Sequence, residues 1–313
     1  MEGKRMAQSV YQKSTKISKL LSSRNFNYKK QKMLIIVLFS LIPVTLLLTF
    51  SYLPLVNMII YSFHNWNGIS PNKEWVGFHN YVLMFTRPEY FAVFVVSLYY
   101  FFATFIQMGI ALYFATVLSF NVRFKNFFKG VIFFPYLLNG VAIGFIFLFF
   151  FRPEGTLDSL LSLIGLGEYT QLWLGNPDLI NISLAGTSVW RYMGFNFIIF
   201  LGAISSISKE IYEAADIDGA NSWQKFRFII LPSIKRIVEL NLILAISGAI
   251  GVFEIPFIMT GGANGSTTFV IQTMTTAFEY NRIGLASAMA VVLLIIIIIV
   301  TLVQRLLLRD KEA

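Results

Sequence analysis

Apolar residues gather in six long blocks along this chain, separated by short polar stretches. A helix that crosses a bilayer needs about 20 mostly apolar residues. Six segments reach that length: Met33–Phe63, Tyr90–Leu118, Phe127–Phe151, Ile182–Ile204, Val238–Met259 and Leu285–Leu308. The first is long enough to tilt, or to run on outside the bilayer as helix past Pro54. The pattern predicts an all-α integral membrane protein with six transmembrane helices. No internal repeat is visible, and the loops Asn65–Glu89 and Arg152–Asn181 are too short to hold a second soluble domain.

Composition agrees. Of 313 residues, 56% are hydrophobic and 13% charged, where a soluble domain carries about 25% charged residues. There is no cysteine, which excludes a disulfide scaffold, a thiolate metal site and a cysteine nucleophile. Two histidines, His64 and His79, leave little for acid–base or metal chemistry.

The net charge of +9 reads as loop topology, not as a nucleic-acid footprint, because basic residues mark cytoplasmic loops. Residues 1–32 carry nine Lys/Arg, Ser119–Gly130 three, Ser205–Ile237 five and the tail from Arg305 three. The alternate loops carry only Lys73, Arg87, Arg152 and Arg282. Both termini are therefore expected in the cytoplasm. The first apolar run is too long for a secretory signal. Val10, Ile17, Leu20 and Leu21 fall at helical spacing between lysines, so the basic segment 1–32 is either an interfacial helix or a solvated tail.

One polar island, "EAADIDGANSWQKFRFIILP" at Glu213–Pro232, interrupts the apolar pattern between spans four and five. Lys209–Ile217 reads as a short helix with Ser208 as its N-cap and Glu210 in the first turn. Asp218-Gly219 is a turn signal. A second short helix follows, carrying Trp223, Phe226 and Ile230 on one stripe, and Pro232 is expected to break it. An ordinary loop does not need an Ala pair, a fixed turn and an aromatic stripe.

These residues resemble the EAA loop of binding-protein-dependent ABC importer permeases. The match is carried by Glu213-Ala214-Ala215, Asp218-Gly219-Ala220, Phe226, Ile229 and Leu231-Pro232. The likeness extends over nearly all of the chain after residue 33, including the six-span layout and "FIMTGGANGSTTFVIQTM" before the last span, which is similar to the corresponding region of maltose- and glycerol-phosphate-type carbohydrate permeases. Two departures stand out: Ile207-Ser208 where the family often has Ile-Pro, and Gly262-Ala263 where it commonly has Gly-Pro, which would loosen the outer loop.

The resemblance implies a six-span permease domain at 33–308, a cytoplasmic coupling helix between spans four and five within the loop 209–232, and a tail at 309–313. It implies that Glu213, Ala214, Ala215, Asp218, Gly219 and Ala220 engage a separate ATPase, with Trp223 and Phe226 anchoring the loop to its own spans. It further implies a second permease chain, two cytoplasmic ABC ATPase subunits that bind the ATP and Mg, an extracytoplasmic solute-binding protein, and a bacterial or archaeal cell membrane.

The chain has no P-loop of its own, because no Gly-Lys-Ser/Thr occurs. "GGANGSTT" at Gly261–Thr268 lacks the lysine and reads as a flexible outer loop. Polar groups inside spans are costly and mark function by default. Trp190, Arg191 and Asn196 in span four, with Phe253 and Glu254 in span five, are the substrate-path candidates. Gln107 and Asn139 read as interhelical glue. Aromatic faces beside hydrogen-bonding groups suit sugars. Arg191 and Glu254 either neutralise each other or line the path, and an isolated Arg would leave acidic sugars or sugar phosphates open. A stand-alone secondary transporter or channel is the rival reading. It would usually show a repeated fold and coupling acids inside the membrane, and Glu254 is the one acid well inside a span.

Overall fold

The computed structural model describes residues 28–120 and 122–308. The expectations for residues 1–27 and for the tail 309–313 lie outside them. The chain divides into two compact units, with the boundary after Ile60.

The helix α1 (Tyr28–Tyr61) accounts for the described part of the first unit and ends just past the boundary. It does continue beyond Pro54. The last turn before that proline is widened to a π-turn at Leu48–Tyr52, so that the Leu53 amide reaches back five residues to the Leu48 carbonyl. A proline ring collides with the carbonyl four residues earlier and donates no hydrogen bond. The wider turn accommodates both defects without breaking the helix.

The second unit opens with a two-stranded antiparallel ribbon, β1 (His64–Asn65) against β2 (Glu74–Trp75), with His64 opposite Trp75. Then come α2 (His79–Thr86), α3 (Glu89–Val117), α4 (Lys125–Leu137), α5 (Gly140–Phe151), α6 (Thr156–Leu163) and α7 (Pro177–Ser205). The chain continues through α8 (Lys209–Ile217), α9 (Ser222–Lys225), α10 (Leu231–Ile250), α11 (Glu254–Thr260), α12 (Phe269–Met274) and α13 (Ile283–Leu308).

Among the described residues, α1, α3, α13 and the segment Ser222–Thr260 are long and apolar enough to cross a membrane. Two bent pairs bring the candidates to six: α4 with α5, turned by 97°, and α7 with α8, turned by 72°.

Four expectations need correction. The third span is not one straight helix. Pro135 stands in the last turn of α4, and Leu138 and Asn139 are extended. The Asn139 side chain then accepts the Val141 amide at 2.8 Å and starts α5 as its N-cap. Asn139 is thus a cap, not glue between helices. The fifth span is also interrupted: α10 stops at Ile250, and α11 begins only at Glu254. Pro232, by contrast, does not break its helix. A second π-turn, Phe226–Ile230, lets the Leu231 amide reach the Phe226 carbonyl, and the helix passes from α9 into α10. The Leu-Pro at 231–232 is handled in the same way as that at 53–54.

α3 lies along α7, α10 packs across both, α4 covers α7, and α5 pairs with α11. One core layer joins Met108, Ala111, Phe197, Phe200, Ile230 and Ile234. A second joins Val96, Tyr100, Ile180, Leu184, Ala249 and Ile255. Small residues such as Ala111 and Ala249 allow the close approach of backbones usual in membrane bundles.

Candidate functional site

Between these two layers α3, α7 and α10 do not close on one another. They leave a cavity of about 450 Å³, within the roughly 300–1,000 Å³ of small-ligand sites. Helical spacing aims its walls. Tyr100, Thr104 and Gln107 share one face of α3, while Ser188, Tyr192 and Asn196 recur every fourth residue on α7. Asn241, Leu244, Ala245 and Gly248 give the wall of α10, and the break after it contributes Phe253 and Glu254.

The cavity is polar where its neighbours are apolar. Tyr100 Oη, Ser188 Oγ, Asn196 Nδ2 and both amide atoms of Asn241 are buried and find no hydrogen-bond partner among the described residues. A buried unpaired polar group costs about 1–3 kcal/mol, and buried polar groups are nearly always satisfied. Four such side chains around one space form a set of hydrogen-bonding groups that a polyhydroxylated ligand can satisfy.

The candidates from sequence divide here. Asn196, Phe253 and Glu254 line the cavity, whereas Trp190 and Arg191 do not. Trp190 packs edge-on against Phe147, with ring centroids 5.1 Å apart. Arg191 Nη1 donates to Glu254 Oε2 at 2.5 Å, and its guanidinium lies over the Tyr192 ring. The arginine side chain is 12% exposed and the glutamate 40%, so the carboxylate is the member of the pair that borders the open space.

The same carboxylate packs against the Cα of Gly140, the first residue of α5, where any side chain would overlap it. Glu254 therefore joins three elements at one point: the break in span five, the bend in span three and α7. Sequence reasoning missed Tyr100, Thr104, Ser188 and Asn241, and it took Gln107 for glue. Asn241, an amide in the apolar run Leu240–Ile246 of α10, carried the same signal as Asn196.

The polar island forms two short helices around a fixed turn. Ser208 caps α8, accepting the Glu210 amide and donating to Glu210 Oε2 at 2.7 Å. At its far end the Ala220 amide bonds the Ala215 carbonyl at 2.9 Å, and the Gly219 amide bonds that of Asp216 at 3.1 Å. This is a Schellman motif, and Gly219 takes the left-handed conformation it requires, φ +75°. Asn221 and Gln224 form a capping box at the start of α9. An Asp216–Lys225 ion pair ties α8 to α9.

Glu213, Ala214, Asp218 and Gly219 are exposed, and Ala215 and Ala220 partly so. Phe226 packs into the core as expected, but Trp223 does not anchor the loop: it is 68% exposed. Tyr212 supplies the second anchor. It packs edge-on to Phe120 in the same core layer, and burial pushes its phenol pKa up. The loop Gly261–Thr268 is not loose either. Asn181 holds the Gly265 carbonyl and Asn264 holds that of Leu174, both at 3.0 Å, while Thr267 bonds Gly262. Among the described residues no cluster of His, Asp and Glu suits a metal ion.

Residues 107–312 match the model of the binding-protein-dependent transport system inner membrane component family. The chain is 33% identical over 270 residues, 84% of its own length and 92% of the relative's, to a probable ABC transporter permease protein, YurN, of Bacillus subtilis. It is 30% identical to the multiple sugar-binding transport system permease protein MsmF of Streptococcus mutans, covering 81% of this chain and 88% of that one. A crystal structure of a bacterial ABC transporter involved in the import of the acidic polysaccharide alginate superposes with a TM-score of 0.79 at 20% identity, over 93% of this chain and 100% of that one. At that identity the likeness speaks for the fold alone. The chain belongs to the inner-membrane permease family of binding-protein-dependent ABC transporters and is a multi-pass, non-catalytic membrane subunit.

Proposed function

We propose that this chain is one half of the translocation path of an ATP-driven importer for a neutral sugar or oligosaccharide, and that it receives its stroke from a separate ATPase through the loop 209–232. The observation that carries this reading is the cavity between α3, α7 and α10, with its unpaired buried hydroxyls and amides. Tyr192, Phe195 and Phe253 on the same walls offer ring faces for sugar C–H groups. Relatives named for arabinooligosaccharides, diacetylchitobiose and trehalose or maltose support a carbohydrate cargo.

The permease domain runs over 33–308 in six spans, with both termini, the basic segment 1–32 and the tail 309–313 in the cytoplasm. Its partners are a second permease chain, two ATPase subunits holding ATP and Mg, and an extracytoplasmic binding protein. Coupling passes through α8, a capped rigid helix whose exposed side presents Glu213, Ala214, Asp218 and Gly219. Tyr212 and Phe226 join that helix to the bundle, so a push on α8 is delivered to α7 and α10 as a rigid-body movement.

The test is purification from its own cells through a tag on this chain. A P-loop ATPase should co-purify, and ATP hydrolysis should rise when sugar-loaded binding protein is added. Recovery of the chain alone, with uptake unaffected by ATP depletion, would favour the stand-alone transporter.

A further inference from the structure

We infer that Glu254 is a specificity-determining residue: its carboxylate occupies a place on this half of the path that is suited to an anion, so that the path accepts neutral saccharides and turns acidic ones away. The inference rests on the reading of the cavity as a sugar path.

Three features converge on that place. The first is Arg191, whose guanidinium is largely buried and ends at Glu254. The second is the start of α5, a twelve-residue helix that begins inside the bend of span three. Helix N-termini attract negative charge, and half-helices beginning within a membrane are used to hold anionic groups. The third is the cavity itself, where buried Asn196 and Asn241 present unpaired amide atoms to the same space. In an anion carrier, an arginine beside a half-helix N-terminus at the edge of a polar cavity would be free to receive a ligand carboxylate or phosphate. Here a carboxylate of the chain already lies there, against Gly140, where no larger residue fits.

What remains for a ligand is set by the lining. It contains hydroxyls, amides and aromatic rings, one carboxylate, and no Lys, Arg or His. Hydroxyls of a neutral sugar can satisfy those groups. A uronate or sugar phosphate would bring an anion beside Glu254 with no free cation to meet it. Losing its hydration there without a counter-charge is heavily unfavourable. Arg191 does not meet the ligand, because Glu254, which lines the cavity, occupies its guanidinium.

The inference is tested on the importer purified through a tag on this chain and embedded in nanodiscs, without binding protein, so that only the membrane path is read. The probes are maltotriose, diacetylchitobiose, trehalose and arabinotriose as neutral saccharides, and trigalacturonate and an alginate trisaccharide as acidic ones. Wild type should bind at least one neutral probe and neither acidic one. Glu254→Gln, which frees Arg191 and the start of α5, should gain about tenfold or more in apparent affinity for the acidic probes. In Glu254→Gln with Arg191→Met that gain should disappear.

Binding of an acidic probe by wild type would overturn the inference while leaving the sugar path standing, and that arm decides even if Glu254→Gln fails to accumulate. A folded Glu254→Gln that still rejects both acidic probes would overturn the role of Glu254. Binding of no saccharide of either kind would remove the reading underneath it.

Discussion

At Gly219 the chain spends a residue on geometry alone. Its φ of +75° belongs to the left-handed region, and a β-carbon there would meet nothing within 4 Å. The penalty for another residue is thus one of backbone conformation, about 1–2 kcal/mol, and not of crowding. Gly219→Val should leave membrane insertion intact and disturb the turn that orients α8, so ATP hydrolysis by the purified complex should no longer respond to loaded binding protein. A normal response would mean that the turn carries no coupling. Arg191 and Glu254 depend on each other differently. A single charge inside the membrane costs about 2.5–3.5 kcal/mol on insertion scales, so Arg191→Ala should lower the amount of folded protein. The swap Arg191→Glu with Glu254→Arg should restore part of it, as read by size-exclusion recovery. Equal recovery of Arg191→Ala and wild type would show that the pair does not support the fold.

At the scale of elements, the two Leu-Pro steps show how a membrane helix absorbs a proline. Each is preceded by a π-turn that shifts the hydrogen-bond ladder by one residue. Removing the second proline removes the reason for the extra residue. If the ladder of Pro232→Ala returns to α-helix, α9 turns relative to α10 by about one residue's rotation, and the loop that carries Glu213 turns with it. Pro232→Ala should then insert normally and lose most sugar-stimulated ATP hydrolysis, whereas full stimulation would show that the π-turn is incidental to coupling. Orientation is tested separately, and the absence of native cysteine makes it simple. Single cysteines at Asn72 and Leu163 should react with an impermeant thiol reagent added to intact cells, and one at Asn221 should react only after the membrane is opened. Labelling of Asn221 from outside would reverse the topology.

The elements themselves were legible to different degrees. Apolar length located the four helices long and apolar enough to cross a membrane and the two bent pairs that raise the candidates to at most six, and the cap at Ser208 and the turn at Gly219 followed from residue chemistry. The bends in spans three and five did not. Hydropathy records how far an apolar run extends but not its direction, and Phe127–Phe151 is apolar through its 97° turn. The local sign was Pro135 followed by Asn139-Gly140, a helix end and a new cap inside one apolar run. The anchoring of the island was misread for a related reason. Trp223 and Phe226 share a stripe, but only contact with Phe120 and the core decides which side of it is covered, and Tyr212 took the second place.

For the whole molecule the central feature is a polar space held open between two apolar core layers. Its walls were only half visible in the sequence. Asn196, Phe253 and Glu254 stood out as polar or aromatic residues in a span, but Ser188 and Tyr100 are common in spans and gained meaning only when three helices brought them to one cavity. A space of this kind works against stability. Replacing an unpaired buried amide by an apolar group of similar shape is neutral or stabilising, so a side chain kept unpaired for a ligand and one kept for the fold respond in opposite ways. Asn241 separates the two cases most cleanly, because both its amide atoms are buried and unpaired among the described residues. The decisive measurement compares the unfolding midpoint of the purified importer with sugar uptake by the same cells, for wild type and Asn241→Leu. The account predicts an unchanged or raised midpoint together with uptake reduced about tenfold or more. A lowered midpoint with uptake per folded molecule unchanged would contradict it, because Asn241 would then support the fold and the cavity would not be the path.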